Sequence, residues 1–563
     1  MERPAWRYPR WAFSFPAPLS MILFGWMEGR VVTGGENSLT GFAALLARTL
    51  AGRMEEPIFN ADAWMRMEEL AATYGQLVAA GADPAPFAAA LDRVPRHNAR
   101  EETLYHLLRA MALCDANAAT RVIEILTADL ESVQPRHRLI QVDYILRAVI
   151  YGVWTNRIKL TDPGAHDMAI RRLWRTMLNH YRAAMPARDP VPAAARQRDL
   201  IVITTGQFIR GAHQPSIDML DFLTKLVLRL GRRVVLINTA DGPVKSHFPY
   251  LGNFVSSVDR ELVAAKQLVI DGLPIPFIHL PAGFTDPQMA SDARDQILAL
   301  KPDLVLSFGT LCPVSDLCRG LLDVVSIPYG SYLPFAEPTW LALPRPLNPA
   351  ETPALAAGGL TPDKVIRIEY SYAPPPAVTV RDKVVLGLGD DTILTLIIGL
   401  RLAREVTPDF AAALDAAVQA EPRLFFLFVG EMDNYAELVA PHPTLAARSR
   451  SHGHETDVMG LMASADLYIN PPRGGGGTSA AYALSRGIPA YSLNAGDVGV
   501  VVGPDFHLSS YADFAPAATR YTDDPDLRGQ LQEKAKARFA DISSRERMLR
   551  QILDGVKAMR AKG

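Results

Sequence analysis

Four consecutive glycines, Gly474, Gly475, Gly476 and Gly477, stand between the apolar run Leu467, Tyr468, Ile469 and the hydroxyl pair Thr478, Ser479. An alanine-rich helical stretch follows. Glycines at the end of a strand let a ligand lie close against the backbone. The helix start after them offers unpaired N–H groups and a partial positive charge, which suit a diphosphate. Thr478 and Ser479 can cap that helix or donate to phosphate oxygens, and Arg473 can pair with the same oxygens. The plainer alternative is a turn with an ordinary cap. The loop is not the phosphate loop of a nucleotide hydrolase, because no lysine stands between the glycines and Thr478 to reach terminal phosphates. Gly387-Leu388-Gly389 is no dinucleotide fingerprint either: it lacks the third glycine and precedes its strand.

A second constellation lies upstream. Gly206-Gln207-Phe208-Ile209-Arg210-Gly211-Ala212-His213-Gln214-Pro215-Ser216 follows a short apolar run, and Pro215 suits the first turn of a helix. His213 then belongs to a strand-end loop, where a neutral imidazole acts as a general base or holds a phosphate; the alternative is a helix-capping histidine. Asp497, in Gly496-Asp497-Val498-Gly499, follows another strand end and can touch a sugar or ribose, or simply form a turn. Glu337, after Ser331-Tyr332-Leu333-Pro334-Phe335-Ala336, is an alternative base on the same side as His213. His452, His454, Glu455, Thr456 and Asp457 share one loop. Without distant partner ligands this is a poor metal site, and no metal is expected. Asp524-Pro525-Asp526 pairs two acids but reads as a helix start. Cys312 and Cys318 do not share a helix face well and read as core.

These residues need a scaffold, and the hydrophobic pattern supplies one. Residues 38–185 read as helices only, with Leu104, Leu107, Leu108 and Met111, then Val122, Ile125 and Leu126, then Leu139, Val142, Ile145, Leu146 and Val149 at three- and four-residue spacing. Short polar breaks between them imply antiparallel hairpins. An Ala/Pro-rich linker over 184–198 follows. Beyond it, continuous apolar runs alternate with helical stretches, which indicates parallel sheet buried on both faces. Candidate strands are 200–203, 234–237, 276–280, 304–308 and 324–327 in one domain, and 394–398, 424–429, 467–470 and 489–493 in another. The proline-rich segment 372–379 joins the two. The expected plan is an all-α domain over 1–192 and two Rossmann-like domains over 193–376 and 377–563. Ligands of such a pair bind in the cleft at the carboxyl ends of the strands.

Composition bounds the function. A length of 563 residues suits three or four domains. A net charge of −2 gives no field favouring nucleic acid or an anionic membrane. Three cysteines exclude a disulfide framework and point to the reducing cytoplasm. The apolar run over 21–27 is far shorter than the roughly 20 residues that span a bilayer. It also lacks the pattern of a signal peptide, so it is expected to pack on the first domain.

The segment from Ala465-Asp466 through Asn470-Pro471 and the glycines to Arg486-Gly487-Ile488-Pro489 resembles the donor-site signature of GT-B glycosyltransferases. In that superfamily a strand, loop and helix hold the diphosphate of a sugar nucleotide. Ile398-Gly399-Leu400-Arg401-Leu402-Ala403-Arg404-Glu405 resembles the first strand–loop of the same domain. The resemblance spans roughly residues 195–545. It implies that Arg401 neutralises the diphosphate, with Arg404 as a second charge, and that the loop with His454, Thr456 and Asp457 meets the nucleobase. Many retaining members carry two glutamates eight residues apart, at positions that here hold Gly474 and Tyr482. Tyr482 thus stands where an acidic ribose ligand would be, and the missing acids favour inversion.

The histidine after the first strand, the glycine loop opening with Thr-Ser and the helical N-terminal domain occur together in one group. The chain resembles the bacterial cytoplasmic protein N-glycosyltransferases of the high-molecular-weight adhesin type and, more distantly, the catalytic half of the O-linked N-acetylglucosamine transferases. The resemblance implies a metal-independent hexosyltransferase that uses a UDP-sugar as co-substrate, with no further cofactor, and a protein acceptor. It implies no nucleic-acid partner and no integral membrane contact. The helical domain would recognise the acceptor or build a homo-oligomer. The alternatives are a glycosyltransferase of surface polysaccharide or lipid-linked sugar assembly, and a sugar-nucleotide epimerase or non-catalytic sugar-nucleotide-binding module on the same fold.

Overall fold

The computed structural model describes residues 85–562, apart from 94–95, 97–98, 113–114, 116, 133–135, 155–157, 159, 210–213, 242–258, 260, 281–286, 370 and 373–382. His213, Cys114, the run over 21–27 and most of the proline-rich linker lie outside the described residues. The chain divides into two compact units, Met1–Pro57 with Glu69–Arg96, and Ile58–Glu68 with His97–Gly563. In the first, Ala85–Asp92 is a helix.

In the second, among the described residues, four helices come first: α1 (Ala99–Ala112), α2 (Ala118–Ser132), α3 (Arg136–Trp154) and α4 (Pro163–Ala184). The spacing of three and four works as expected, since Val122, Ile125, Leu126, Leu139, Val142, Ile145, Leu146 and Val149 are all buried. Asp162 caps α4 by accepting from the Ala165 N–H at 2.9 Å, and Pro163 occupies the first turn, where its missing donor costs nothing.

α4 is fastened to the α/β layer by polar contacts. Buried Arg171 donates to the carbonyls of Pro334 at 2.7 Å and Leu333 at 2.9 Å. The Trp174 indole N–H donates to Asp316 at 2.8 Å. Glu337 is buried among Arg175, Arg182 and Arg319 at 3.3–3.7 Å. Glu337 was expected to serve the acceptor side as a base. The structure instead makes it an anchor for the helical layer, because three guanidinium groups surround a carboxylate that solvent barely reaches.

The first sheet has the order β3-β4-β2-β1-β5-β6-β7-β8. Its strands are β1 (Gln197–Thr205), β2 (Arg233–Asn238), β3 (Gln267–Ile270), β4 (Leu273–His279), β5 (Pro302–Phe308), β6 (Val324–Ile327), β7 (Trp340–Leu343) and β8 (Val365–Arg367). All pairs are parallel except β3 with β4. The helices α5 (Gln214–Leu228) and α6 (Pro287–Leu300) are among its crossovers. The second sheet is wholly parallel in the order β11-β10-β9-β12-β13-β14. It comprises β9 (Ile393–Ile398), β10 (Leu424–Val429), β11 (Ser449–Gly453), β12 (Leu467–Ile469), β13 (Ala490–Leu493) and β14 (His507–Leu508), and the helices α7 (Pro408–Ala420) and α10 (Phe514–Asp523) pack on each other beside it. Strand order reverses between β1 and β5 in one sheet and between β9 and β12 in the other, so each sheet opens a crevice beyond its carboxyl edge there.

Two expectations change. The segment with His452 was read as loop, yet Ser449–Gly453 pairs with β10 as an edge strand. A polar edge strand, bonded on one side and half exposed, has no apolar run to announce it. The third domain was expected to run to the end of the chain. Instead the last helix, α12 (Arg545–Lys562), crosses back to pack on α5 and β8 of the first sheet. Arg545 is buried, bonded to Asp218 at 2.7 Å and Asp221 at 3.2 Å, with its guanidinium 4.3 Å from the Phe222 ring centroid. Where the chain crosses between the sheets, the Tyr372 N–H donates to the Ile542 carbonyl at 2.8 Å.

Burial pushes Asp316 up to about 7, although Trp174 donates to it. A carboxyl raised in the folded state favours folding at low pH, and that benefit is lost as pH rises from about 4 through about 7. Asp316→Asn should therefore gain melting temperature relative to the parent on going from about pH 5 to about pH 8. Parallel pH profiles for the two proteins would contradict this account.

Candidate functional site

The glycine loop leaves β12 at the crevice between β9 and β12. Buried Asn470 shapes it. Its amide donates to the carbonyls of Pro471 at 3.0 Å and Gly475 at 3.3 Å, and its Oδ1 accepts from Arg473 at 2.7 Å and Tyr468 at 3.1 Å. Gly476 turns the chain with φ +99°, and a Cβ there would overlap Asn470 Oδ1. The helix α8 (Gly477–Ser485) then starts with its amino end at the crevice. Gly474 and Gly475 have open space beside them, so a ligand can approach their backbone closely. Thr478 and Ser479 are half-buried in the first turn, and Ser479 is within hydrogen-bonding reach of Tyr468.

The opposite wall is the loop after β9. Glu405, 1% exposed, bonds Arg401 at 3.0 Å and Arg473 at 2.7 Å. Arg473 also donates to the Ile398 carbonyl at 2.7 Å. One carboxylate between two guanidinium groups leaves a net positive charge on this wall, while the Asp497 carboxyl accepts from the Gly477 N–H at the amino end of α8. The two arginines differ in role. Arg401 keeps 26% of its side chain exposed at the crevice, whereas Arg473 keeps 6% and spends its donors inward. Arg473 was expected on the phosphate oxygens; its geometry instead makes it the strut under the loop. Arg404 is exposed on the same turn.

The remaining candidates separate. Tyr482, on α8, donates to the Gln214 side chain at 3.2 Å, which ties the glycine-loop helix to the start of α5. Asp497 sits in the first turn of α9 (Gly496–Val502), which is welded to the glycine loop by Asp497 N–H donating to the Gly474 carbonyl at 3.1 Å. Burial pushes the Asp497 carboxyl up to about 6. With Gly330, Ser331 and Tyr372 it lines a small cavity between the two sheets. In the loop after β11, His454 and Thr456 are exposed, while Asp457 caps the helix Val458–Met462 by accepting from Gly460 at 2.9 Å. That bond gives Asp457 a structural task in the loop expected to meet the nucleobase. Asp524 caps α11 (Pro525–Ile542), as its sequence suggests. Cys312 and Cys318 are buried free thiols, both pushed up by burial, Cys312 to about 12.

Sequence reasoning missed Glu405, Gln214 and Trp154. Glu405 carries a signal in hindsight, since it stands four residues after Arg401 at ion-pair spacing on a helical turn. Trp154 carries none: its ring lies 4.4 Å from the Arg401 guanidinium across a wide gap in sequence.

No protein-family model and no curated protein sequence matches the chain. Among solved structures, a mutant O-GlcNAc transferase from Thermobaculum terrenum aligns over 93% of this chain and 96% of its own, with 13% identity and a TM-score of 0.51. A glycosyltransferase from Rickettsia africae aligns over 65% and 100%, with 15% identity and a TM-score of 0.47. WaaG, a glycosyltransferase involved in lipopolysaccharide biosynthesis, aligns over 64% and 98%, with 12% identity and a TM-score of 0.40. The chain therefore has the GT-B fold, two Rossmann-like domains facing a cleft, here preceded by helices. Among the described residues no helix is long and apolar enough to cross a membrane.

Removing the charge of Glu405 leaves Arg473 buried without its anion. Glu405→Gln should destabilise the protein by about 3 kcal/mol in denaturant unfolding. A loss below about 1 kcal/mol would show that the pair does not hold the loop.

Proposed function

We propose that this protein is a metal-independent glycosyltransferase that moves a sugar from a UDP-sugar to a protein side chain. The observation that carries the reading is that the α8 amino end and Arg401, linked through Glu405 and Arg473, share the β9/β12 crevice. In transfer, the acceptor atom bonds to the anomeric carbon, the bond from that carbon to the diphosphate oxygen breaks, and the acceptor proton passes to a base. The diphosphate leaves with increased negative charge. In this reading Arg401, the N–H groups of Thr478 and Ser479 and their hydroxyls stabilise it, and no metal ion is required. His213 is the candidate base on sequence grounds.

A fold match across 93% of the chain to a protein named as an O-GlcNAc transferase supports sugar transfer; the polypeptide acceptor is what the sequence resemblance implies. The absence of the two acids, at positions that hold Gly474 and Tyr482, favours inversion at the anomeric carbon. Free buried thiols accord with a reducing cytoplasmic setting. The helical layer, through its exposed surface, is the place for an acceptor or a second copy.

Thermal unfolding against UDP, GDP, CDP, ADP and dTDP tests the donor site. Ligand at about a hundred times its dissociation constant stabilises by about 2.7 kcal/mol, a readable shift. The expected result is a shift with UDP that is lost in a Thr478→Ala, Ser479→Ala double variant. In a transfer assay with a UDP-sugar and polypeptide acceptors, Arg401→Ala should lower turnover at least about tenfold. No shift with any nucleotide would overturn the reading. Conversion of the UDP-sugar without an acceptor would replace it with an epimerase.

A further inference from the structure

Trp154 is the last residue of α3 and its side chain is 57% exposed, unusual for an indole that belongs to a packed helical layer. Its ring lies 4.4 Å from the guanidinium carbon of Arg401, and Tyr151, one turn back on α3, packs against it at 5.4 Å. Beside Arg401, Leu400 is 63% exposed. The helical layer thus reaches Arg401, the crevice arginine that Glu405 holds and that still meets solvent. Glu405 holds the edge of that guanidinium by a bond at 3.0 Å, and the indole covers its face. A long arginine side chain loses much rotamer freedom when held at two sides.

We propose that Trp154 is a positioning residue of the donor site, contributed by the helical layer. It holds Arg401 in the orientation that receives a nucleoside diphosphate and shields one face of that contact from water. This rests on the donor-site reading above and adds to it a specific duty for the helices. An aromatic face over a guanidinium strengthens its placement through the ring quadrupole without competing for its N–H donors, so those donors stay available to phosphate oxygens.

The test is a double-mutant cycle read in UDP affinity by titration calorimetry on the full chain. Trp154→Ala should weaken UDP binding about three- to tenfold, and Trp154→Phe, which keeps an aromatic face, should recover most of the loss. In an Arg401→Ala background, Trp154→Ala should change UDP affinity by less than about twofold, because the group it positions is gone. The melting temperature without ligand reports any general damage, which would lower stability equally in both backgrounds. Unchanged UDP affinity in Trp154→Ala, or the same loss with and without Arg401, overturns the proposal while leaving the donor-site reading standing. A parent chain that binds no UDP overturns both.

Discussion

The buried carboxylate of Glu405 is the constraint on which the candidate site depends. It belongs to the loop after β9, and it holds Arg473, which belongs to the loop after β12. Arg473 in turn grips Asn470 and the end of β9. The two walls of the crevice are therefore one bonded unit, and the glycines between Asn470 and α8 take their path from it. A buried charge pair of this kind costs desolvation on both sides, so it contributes shape more than net stability. The same carboxylate holds Arg401 at the crevice while leaving it partly open. Structural and ligand-facing arginines are thereby divided around a single anion.

The helical layer is fastened rather than tethered. Arg171, Trp174, Arg175 and Arg182 of α4 all end on groups of the first α/β domain, and Trp154 of α3 meets the second. The last helix returns to the first domain, and Arg560 near its end bonds Asp303 and Asp323 around β5. The chain thus crosses between the sheets twice, with Tyr372 and Ile542 bonded at the crossing. Tyr482 and Gln214 provide a further contact between the two domains, joining the glycine-loop helix to the start of α5.

Much of the architecture was legible because central parallel strands are buried on both faces. Val324–Ile327 and Leu424–Val429 appear in the sequence as unbroken apolar runs and fold as strands with those bounds. The polar edge strand Ser449–Gly453 and the two-residue β14 carry no such mark. The return of α12 was illegible for another reason: its apolar stripe shows that it packs, not on which domain. At the site, the glycine loop was readable from local composition. The division of labour between Arg401 and Arg473 was not, since it is set by Glu405 and by depth below the surface. Glu337 misled for the same reason. A carboxylate after a strand end resembles a base until three arginines are found around it.

A crystal structure with UDP bound tests the central claim most directly. The account predicts diphosphate oxygens within about 2.7–3.2 Å of backbone N–H groups in the first turn of α8 and of the Arg401 guanidinium, with Arg473 still bonded to Glu405. Nucleotide bound elsewhere in the cleft, with the α8 amino end untouched, would contradict it.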